Sequence, residues 1–203
     1  MEAEIVLLRV VCTEVAMANV KHKIITMSRL QSALDDVVDE LDEMGLWNAR
    51  LAKVDVYLTW FGTAYGWQLY RGSGHIGIPA LSLSRVNEMI FGGARMTLRD
   101  LLRHEYGHAV ADTNRGLIRS RLFADAFGTP HDSEIPSDHS EVEHVTEYAA
   151  TNSSEDFAEV FMFYLKHGGK IPTRYKTRKI ERKWQFVDRI CKQIANGKRR
   201  WGA

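Results

Sequence analysis

Residues 96–116 read MTLRDLLRHEYGHAVADTNRG, and the fold and function of the chain depend on how this stretch is interpreted. Its apolar residues recur at the three- and four-residue spacing of a helix face. Thr97 followed by Asp100 resembles a capping box, and Gly116 is typical of the residue just beyond a helix end. The stretch therefore predicts an amphipathic helix that begins near Thr97 and ends at Gly116.

The middle of this predicted helix contains HEYGH, two histidines at the ends of residues 104–108 with a glutamate after the first. Residues four apart lie on one face of a helix, so His104 and His108 can both bind one metal ion. Glu105 points away from that axis but can still reach a water beside the ion, which is the arrangement of the H-E-x-x-H motif. The alternative is that both histidines are surface residues of an ordinary amphipathic helix.

A catalytic zinc site needs a third protein ligand. A metzincin would have glycine and histidine where this chain has Ala111 and Asn114, so that class is excluded. The two cysteines, Cys12 and Cys191, lie near opposite ends of the chain, and neither has the setting of the cysteine ligand of a peptide deformylase. We therefore expect a glutamate from a later helix to complete the site.

The segment that can supply this glutamate is TEYAATNSSEDFAEVFMFYL, residues 146–165, which predicts a helix with Asn152 or Ser153 as its N-cap. Glu155 lies in the first turn of that helix, and Glu159 lies one turn further on the same face. One carboxylate can bind the metal while the other accepts a hydrogen bond from a ligand histidine and fixes its tautomer. On its own, such a pair of glutamates is more typical of an exposed acidic face.

The remaining patterns predict both helices and strands, and therefore an α+β protein. Regular structure is expected in four further segments: a helix over 26–45, a strand within 52–62, strand-like residues over 66–84 and a basic helix over 177–197. The strand-like segment contains Pro79 and several glycines, which is typical of an edge strand or of bulges. Residues 117–146 are irregular, and their acidic part is expected to be a surface loop. Residues 1–20 are ambiguous between a strand and a short helix.

Charge is distributed unevenly along the chain. The net charge is only +1, yet residues 166–203 hold 13 of the 27 Lys and Arg residues and two of the 26 acidic residues. The small net charge excludes a general attraction to nucleic acid or membrane. The basic end is interpreted as a solvated helix face, with docking on the acidic body, on phosphate or on an acidic partner as the alternatives.

The first residues carry glutamates where a signal peptide needs positive charge, and no stretch has the length of a membrane span. Two distant cysteines are typical of reduced, buried thiols. We therefore expect a cytoplasmic protein with no membrane contact, and export by a route that uses no cleaved signal is the alternative.

The two motifs HEYGHAVAD and EYAATNSSEDFAEVF resemble the zinc metallopeptidase domain of the anthrax lethal factor family, within the gluzincins. The resemblance extends over about residues 50–170. It implies that His104, His108 and Glu155 bind one Zn²⁺ per chain and that Glu105 is the general base.

The same resemblance assigns roles to three further features of the sequence. Tyr148 matches the active-site tyrosine, whose hydroxyl would donate a hydrogen bond to the developing oxyanion. Glu159 matches the carboxylate one turn after the glutamate ligand that supports a ligand histidine. The segment SGHIGIPALSL, residues 73–83, occupies the place of an edge strand that pairs with an extended substrate. The 46 residues between His108 and Glu155 are more than in thermolysin-like enzymes.

Together these features predict a zincin-like α+β fold, with a small mixed sheet whose edge strand packs on the H-E-x-x-H helix, followed by a helical C-terminal part. We expect a single metallopeptidase domain over 1–203, made of an N-terminal helical segment (1–45), a catalytic core (50–170) and a basic C-terminal helix (171–203). The expected function is that of a zinc endopeptidase, which hydrolyses peptide bonds of a protein or peptide substrate with a zinc-bound water that the general base activates.

A second hypothesis is a nucleic-acid-associated protein, in which the basic tail binds phosphate and the zinc site is structural or belongs to a protease targeted to nucleic acid. Trp184, Phe186 and Trp201 are interleaved with basic residues and could stack on bases. The competing interpretation is that Trp184 packs in the core and Trp201 lies in a frayed end. A third hypothesis, an inactive zincin that only binds a partner, is disfavoured by the intact Glu105.

The acidic loop contains seven possible cation ligands whose spacing fits no known metal motif, and we interpret them as loop surface. They are His131, Asp132, Asp138, His139, Glu141, Glu143 and His144.

Overall fold

A computed structural model describes residues 24–62, 66–70, 73–82 and 96–202; the expectations for residues 1–20, Cys12 included, lie outside this part of the chain. The described elements follow one another as α1 (Met27–Glu43), β1 (Asp55–Gly62), β2 (Gly66–Tyr70), β3 (Ser73–Ser82), α2 (Leu98–Thr113), α3 (Arg115–Ile118), α4 (Arg121–Phe127), α5 (Ser153–Lys166) and α6 (Arg178–Ala195). Three short 3₁₀ turns connect them at Leu51–Lys53, Tyr148–Ala150 and Thr173–Tyr175. This combination confirms the α+β class.

The described strands form a mixed sheet in the order β1-β3-β2. β3 runs parallel to β1 and antiparallel to β2, so that Ile76 is paired with Val56 on one side and with Trp67 on the other. The expectation that residues 73–83 form the edge strand is therefore wrong for the first half of β3, which is central in this sheet, whereas Ile78–Ser82 have β1 as their one described strand partner. Its Pro79 is tolerated because β2 pairs only as far as Gly77 and needs no N–H from the proline. In the described sheet β2 is the outer strand that contacts α2.

Among the described helices, the most extensive packing is between α2 and α5. Gly107, inside the HEYGH segment, makes this possible, since a Cβ there would lie 3.1 Å from the Cα of Ala158. The large side chains Tyr106, Phe157 and Phe161 are fully buried around the contact. This close approach brings the histidine face of α2 against the first two turns of α5.

Helix α1 is fixed to α2 by charge as well as by packing. The guanidinium of Arg103 is buried and donates to both carboxylate oxygens of Glu40 on α1. It also donates to Asp100, which in turn accepts a hydrogen bond of 2.9 Å from Lys166 of α5. Paired in this way, the buried charges avoid the large cost of an unpaired ion in the core.

The observed starts of α2 and α5 agree with the N-caps predicted from the sequence, whereas the observed end of α2 differs from the predicted one. Thr97 caps α2 and Asn152 caps α5, each by accepting the backbone N–H three residues ahead. Helix α2 ends at Thr113 rather than at Gly116, which lies inside α3. A Cβ on Gly116 would lie 2.5 Å from the carbonyl oxygen of Arg199, so the glycine permits a close backbone contact rather than ending a helix.

The segment 117–146 was expected to be irregular, but α3 and α4 lie at its start. The acidic loop that follows is exposed for most of its length. His144 is one exception, because it is buried, contacts Ser137 through Nε2 and accepts a hydrogen bond from the N–H of Ser140 through Nδ1. His131 is another, because its Nε2 is buried and its ring lies against Phe123 and Phe157. The interpretation of these two histidines as loop surface was therefore wrong.

The C-terminal helix α6 packs on α4 and α5. Trp184 and Phe186 are buried in this interface, as expected for Trp184. Trp201 is not frayed: its indole N–H donates to the carbonyl of Leu117 at 2.8 Å, and its ring contacts Phe186. In the described part of the chain, we find no helix that combines the length and the apolar character needed to cross a membrane.

Candidate metal centre

Three side chains from two helices meet at the contact between α2 and α5. His104 and His108 lie one turn apart on α2, and Glu155 lies in the first turn of α5, where the cap on Asn152 fixes the helix start. The Nε2 atoms of the two histidines are 3.2 Å apart, and Oε2 of Glu155 lies 3.1 Å from the first and 3.3 Å from the second. The three atoms therefore form a nearly equilateral triangle.

The size of this triangle fits one tetrahedral metal ion. Bonds of about 2.0–2.1 Å from zinc to nitrogen or oxygen place neighbouring ligand atoms of a tetrahedron about 3.3–3.4 Å apart. The observed separations of 3.1, 3.2 and 3.3 Å are close to that value. Two imidazoles and one carboxylate are also a ligand set that zinc uses in hydrolases, and they leave the fourth tetrahedral position open.

A carboxylate and a hydroxyl hold the first histidine in the tautomer that a metal ligand needs. Nδ1 of His104 lies 2.7 Å from Oε1 of Glu159, whose side chain is 1% exposed. Because Nδ1–H donates to this carboxylate, the lone pair of Nε2 points into the triangle. The other oxygen of Glu159 accepts a hydrogen bond of 2.7 Å from the hydroxyl of Thr146. Nδ1 of His108 has a longer contact, 3.4 Å, to the hydroxyl of Ser154.

The electrostatics of the site favour positive charge inside the triangle. Burial lowers the pKa of His104, but hydrogen bonds to Glu155 and Glu159 and the charges of Glu159 and Glu105 outweigh it and raise that pKa to about 10. Burial also opposes ionisation of Glu155, yet its contacts with His104 and His108 hold its pKa well below the usual carboxylate range. A bound cation satisfies the same preference without a proton on the histidine.

Two further predicted residues lie beside the triangle. Glu105 is buried, with 4% of its surface exposed, and its charge contributes to the raised pKa of His104. Tyr148 lies in the 3₁₀ turn before α5, is about half exposed, and has its ring 5.8 Å from that of His104. Partial burial, the charges of Glu155, Glu105 and Glu159, and a hydrogen bond to Glu155 raise its pKa to about 12. Its hydroxyl is therefore protonated at neutral pH and can donate.

The structure thus brings together all six residues that the sequence singled out, and it adds Thr146 and Ser154. Thr146 lies just before the second motif and Ser154 lies within it, but neither was assigned a role: Thr146 contacts Glu159 from 13 residues away and Ser154 contacts His108 from 46 residues away. Within the described residues, the triangle is the one group of three or more His, Cys, Asp or Glu side chains whose ligand atoms converge. The acidic loop supplies no second cluster among those residues.

Comparisons of the chain with protein-family models, with curated proteins and with solved structures found no match. Any functional proposal for the chain therefore rests on the geometry of this centre.

Proposed function

We propose that the protein is a zinc-dependent endopeptidase of the gluzincin type, similar to the catalytic domain of the lethal factor family. The observation that carries the proposal is the triangle of His104, His108 and Glu155 ligand atoms with the buried carboxylate of Glu105 beside it. A structural zinc site is closed by a fourth protein ligand. This triangle has three ligand atoms and a buried carboxylate next to them, which is the arrangement that hydrolysis requires.

A zinc ion held by His104, His108 and Glu155 would act as a Lewis acid, which would lower the pKa of a bound water and polarise the scissile carbonyl. Glu105 accepts the proton from the attacking water and delivers it to the leaving amine. The hydroxyl of Tyr148, protonated at neutral pH, donates to the oxyanion that develops on the carbonyl oxygen. Glu159 and Thr146 hold the His104 ring so that Nε2 keeps its direction through the cycle.

Substrate binding is proposed along β2 rather than along Ser73–Gly77. Over these residues β3 is paired with β2 and, from His75 onward, also with β1, so the β2 side of this part of β3 is already occupied, whereas Ile78–Ser82 have β1 as their one described strand partner. β2 has one described partner and contacts α2, the helix that carries both histidines. An extended peptide added to the outer edge of β2 would run beside the metal centre, with main-chain hydrogen bonds as its anchor.

The test is Glu105→Gln compared with wild type in two measurements, zinc content per chain by elemental mass spectrometry and cleavage of a mixed peptide library. We expect one zinc in both proteins and a loss of cleavage of at least about a hundredfold in the variant, because general base catalysis contributes that much or more. Glu147→Gln, the same substitution at an exposed position nearby, is the control and should cleave as wild type does. Equal cleavage by Glu105→Gln would exclude this mechanism.

The nucleic-acid hypothesis loses part of its basis. Trp184 and Phe186 are buried in the α6 interface and have no face available for stacking on a base. Of the three aromatic residues that suggested stacking, Trp201 is partly exposed, but its indole N–H is engaged by Leu117. We therefore retain the zinc endopeptidase as the proposed function.

A further inference from the structure

A second site is suggested by the basic end of the chain, which the peptidase mechanism does not use. After α6 the chain turns back at Gly197 and lies against the corner between α2 and α3. Two contacts fix it there. The missing Cβ of Gly116 makes room for the backbone of Arg199, and Trp201 donates its indole N–H to Leu117 at 2.8 Å. The ring of Trp201 also lies 5.1 Å from the guanidinium of Arg189.

This returning segment closes one side of a cavity of about 200 Å³. Arg50 also lines the cavity, and Lys198 and Arg199 come from the segment itself. Asn48 and Asn114 are further polar residues of the lining, and among the described residues no Asp, Glu or aromatic residue lines the cavity. His104 and His108 do not line it either, so it is separate from the metal centre.

The fold holds these cations together against their repulsion. Arg50 is fixed in place because its Nη1 donates to the carbonyl of Thr113 at the end of α2. Burial and the nearby positive charge of Arg199 lower the pKa of Arg50. Like charges at short range cost free energy unless an opposite charge lies between them. The fold thus keeps positive groups around a space that an anion can enter.

We propose that this cavity, formed by Arg50, Lys198 and Arg199, binds a tetrahedral oxyanion of the phosphate class. Guanidinium groups donate in a planar fork that matches the oxygens of phosphate, and lysine adds a point charge. A cavity of about 200 Å³ has room for such a group with part of its hydration, since one water occupies about 30 Å³. A single-stranded nucleic acid is the less suitable ligand because binding proteins of that class present aromatic platforms, and the lining residues that the structure describes include no aromatic side chain.

The test is a calorimetric titration of zinc-loaded protein with inorganic phosphate at constant ionic strength. Wild type is compared with Lys198→Gln/Arg199→Gln, which removes two exposed charges from the cavity. The control is Lys176→Gln/Arg178→Gln, which removes two exposed charges elsewhere in the basic end. We expect phosphate binding to weaken at least about tenfold in the cavity variant and to change less than about twofold in the control. Phosphate that binds at the zinc affects all three proteins equally and cancels in the comparison.

A second measurement needs no variant. The indole N–H of Trp201 reports on the returning segment, so its nuclear magnetic resonance signal should shift as phosphate is added, with the same dissociation constant as in calorimetry. The proposal is overturned if wild type and the cavity variant bind phosphate equally or if the Trp201 signal does not respond. It is also overturned if a single-stranded oligonucleotide binds the cavity residues more than about tenfold tighter than phosphate at the same salt concentration, because the ligand would then be a nucleic acid. None of these outcomes depends on peptidase activity.

Discussion

At the scale of single residues, the metal centre depends on a chain of hydrogen bonds that runs from Thr146 through Glu159 to His104. Each link is short, 2.7 Å in both cases, and each lies in a buried or half-buried environment. The hydroxyl of Thr146 also accepts the N–H of Ala149, at 3.2 Å, within the 3₁₀ turn that carries Tyr148. One hydroxyl thus supports both the ligand histidine and the turn with the proposed oxyanion donor.

Replacing Thr146 by valine removes this hydroxyl and keeps the shape of the side chain. Glu159 then loses one donor and holds the ring of His104 less firmly, so zinc affinity should fall about tenfold, at the lower end of the range for such supporting residues. The measurement is competition with a chelator of known affinity. Thr151→Val, at an exposed position close by, is the control and should bind zinc as wild type does. An unchanged affinity in Thr146→Val would show that Glu159 needs no support from the hydroxyl.

The sequence was informative for residues whose chemistry follows from local spacing. His104, Glu105 and His108 share one helical turn, and Glu155 and Glu159 share another, so each group could be predicted from helix geometry alone. Thr146 could not be predicted in this way, because its role depends on how an irregular segment lies against α5. A threonine beside a carboxylate has no sequence signature beyond the two residues themselves.

At the scale of elements, the distance between α2 and α5 determines whether the three ligand atoms meet. Gly107→Ala would place a methyl group 3.1 Å from the Cα of Ala158 and 3.3 Å from a ring carbon of Phe161. Because a backbone atom is the nearest neighbour, the helices must separate, which should cost about 1–3 kcal/mol of unfolding free energy and weaken zinc binding. Gly77→Ala, in β3 with open space around the new methyl group, is the control. Chemical denaturation and chelator competition measure the two effects, and a variant with wild-type zinc affinity would contradict the proposed coupling.

Zinc removal should loosen the same two helices, because their ligands come from both. Zinc at about a thousand times its dissociation constant stabilises the folded state by about 4 kcal/mol. For a chain of this length, adding a chelator should then lower Tm by about 8–16 °C. The measurement is thermal unfolding with and without the chelator. Glu155→Ala lacks one ligand and should show a much smaller difference; a full chelator effect in that variant would mean that Glu155 is not a ligand.

The element boundaries show where sequence reasoning works and where it fails. The helices α1, α2, α5 and α6 were predicted because apolar periodicity and N-caps are local properties of the chain. The central position of β3 was not, because the number of partners of a strand depends on the strands around it. The short helices α3 and α4 were missed for a related reason. They are too short for a periodic apolar pattern of their own, and their apolar residues are buried by tertiary contacts, with α2 for α3 and with α5 and α6 for α4.

At the scale of the whole molecule, the basic C-terminal part is joined to the acidic body by specific contacts rather than by general attraction. Lys183 of α6 is buried and contacts the carboxylate of Asp156 at 2.5 Å. Burial raises the pKa of Asp156 to about 6, with Lys183 acting in the opposite direction. Together with Trp201, this pair fixes α6 at both ends. Of the three alternatives to a solvated helix face, docking on the acidic body therefore applies to part of the basic end, and the cavity beside Arg199 is a candidate for the binding of phosphate.

The stability of the molecule should depend on pH through His131, whose ring lies against the edges or faces of Phe123 and Phe157 and whose Nε2 is buried. Burial, assisted by the charge of His108, lowers the pKa of His131 to about 4. The unfolded chain binds a proton at this histidine below a pH of about 6.5 while the folded chain stays neutral, so stability falls as the pH drops from about 6.5 towards 4. The loss from this residue alone should reach about 3 kcal/mol near pH 4.

The measurement is the unfolding free energy of the zinc-free protein at several pH values, which separates His131 from the acid-driven loss of metal. His131→Gln cannot take up a proton at this position and should lose less stability than wild type between pH 6.5 and pH 4. His139→Gln is the matched control, because His139 is exposed and its replacement should leave the wild-type pH dependence intact. If His131→Gln keeps the wild-type slope, the folded state accommodates a charged His131, and its buried position beside the two rings must open to water before the protein unfolds.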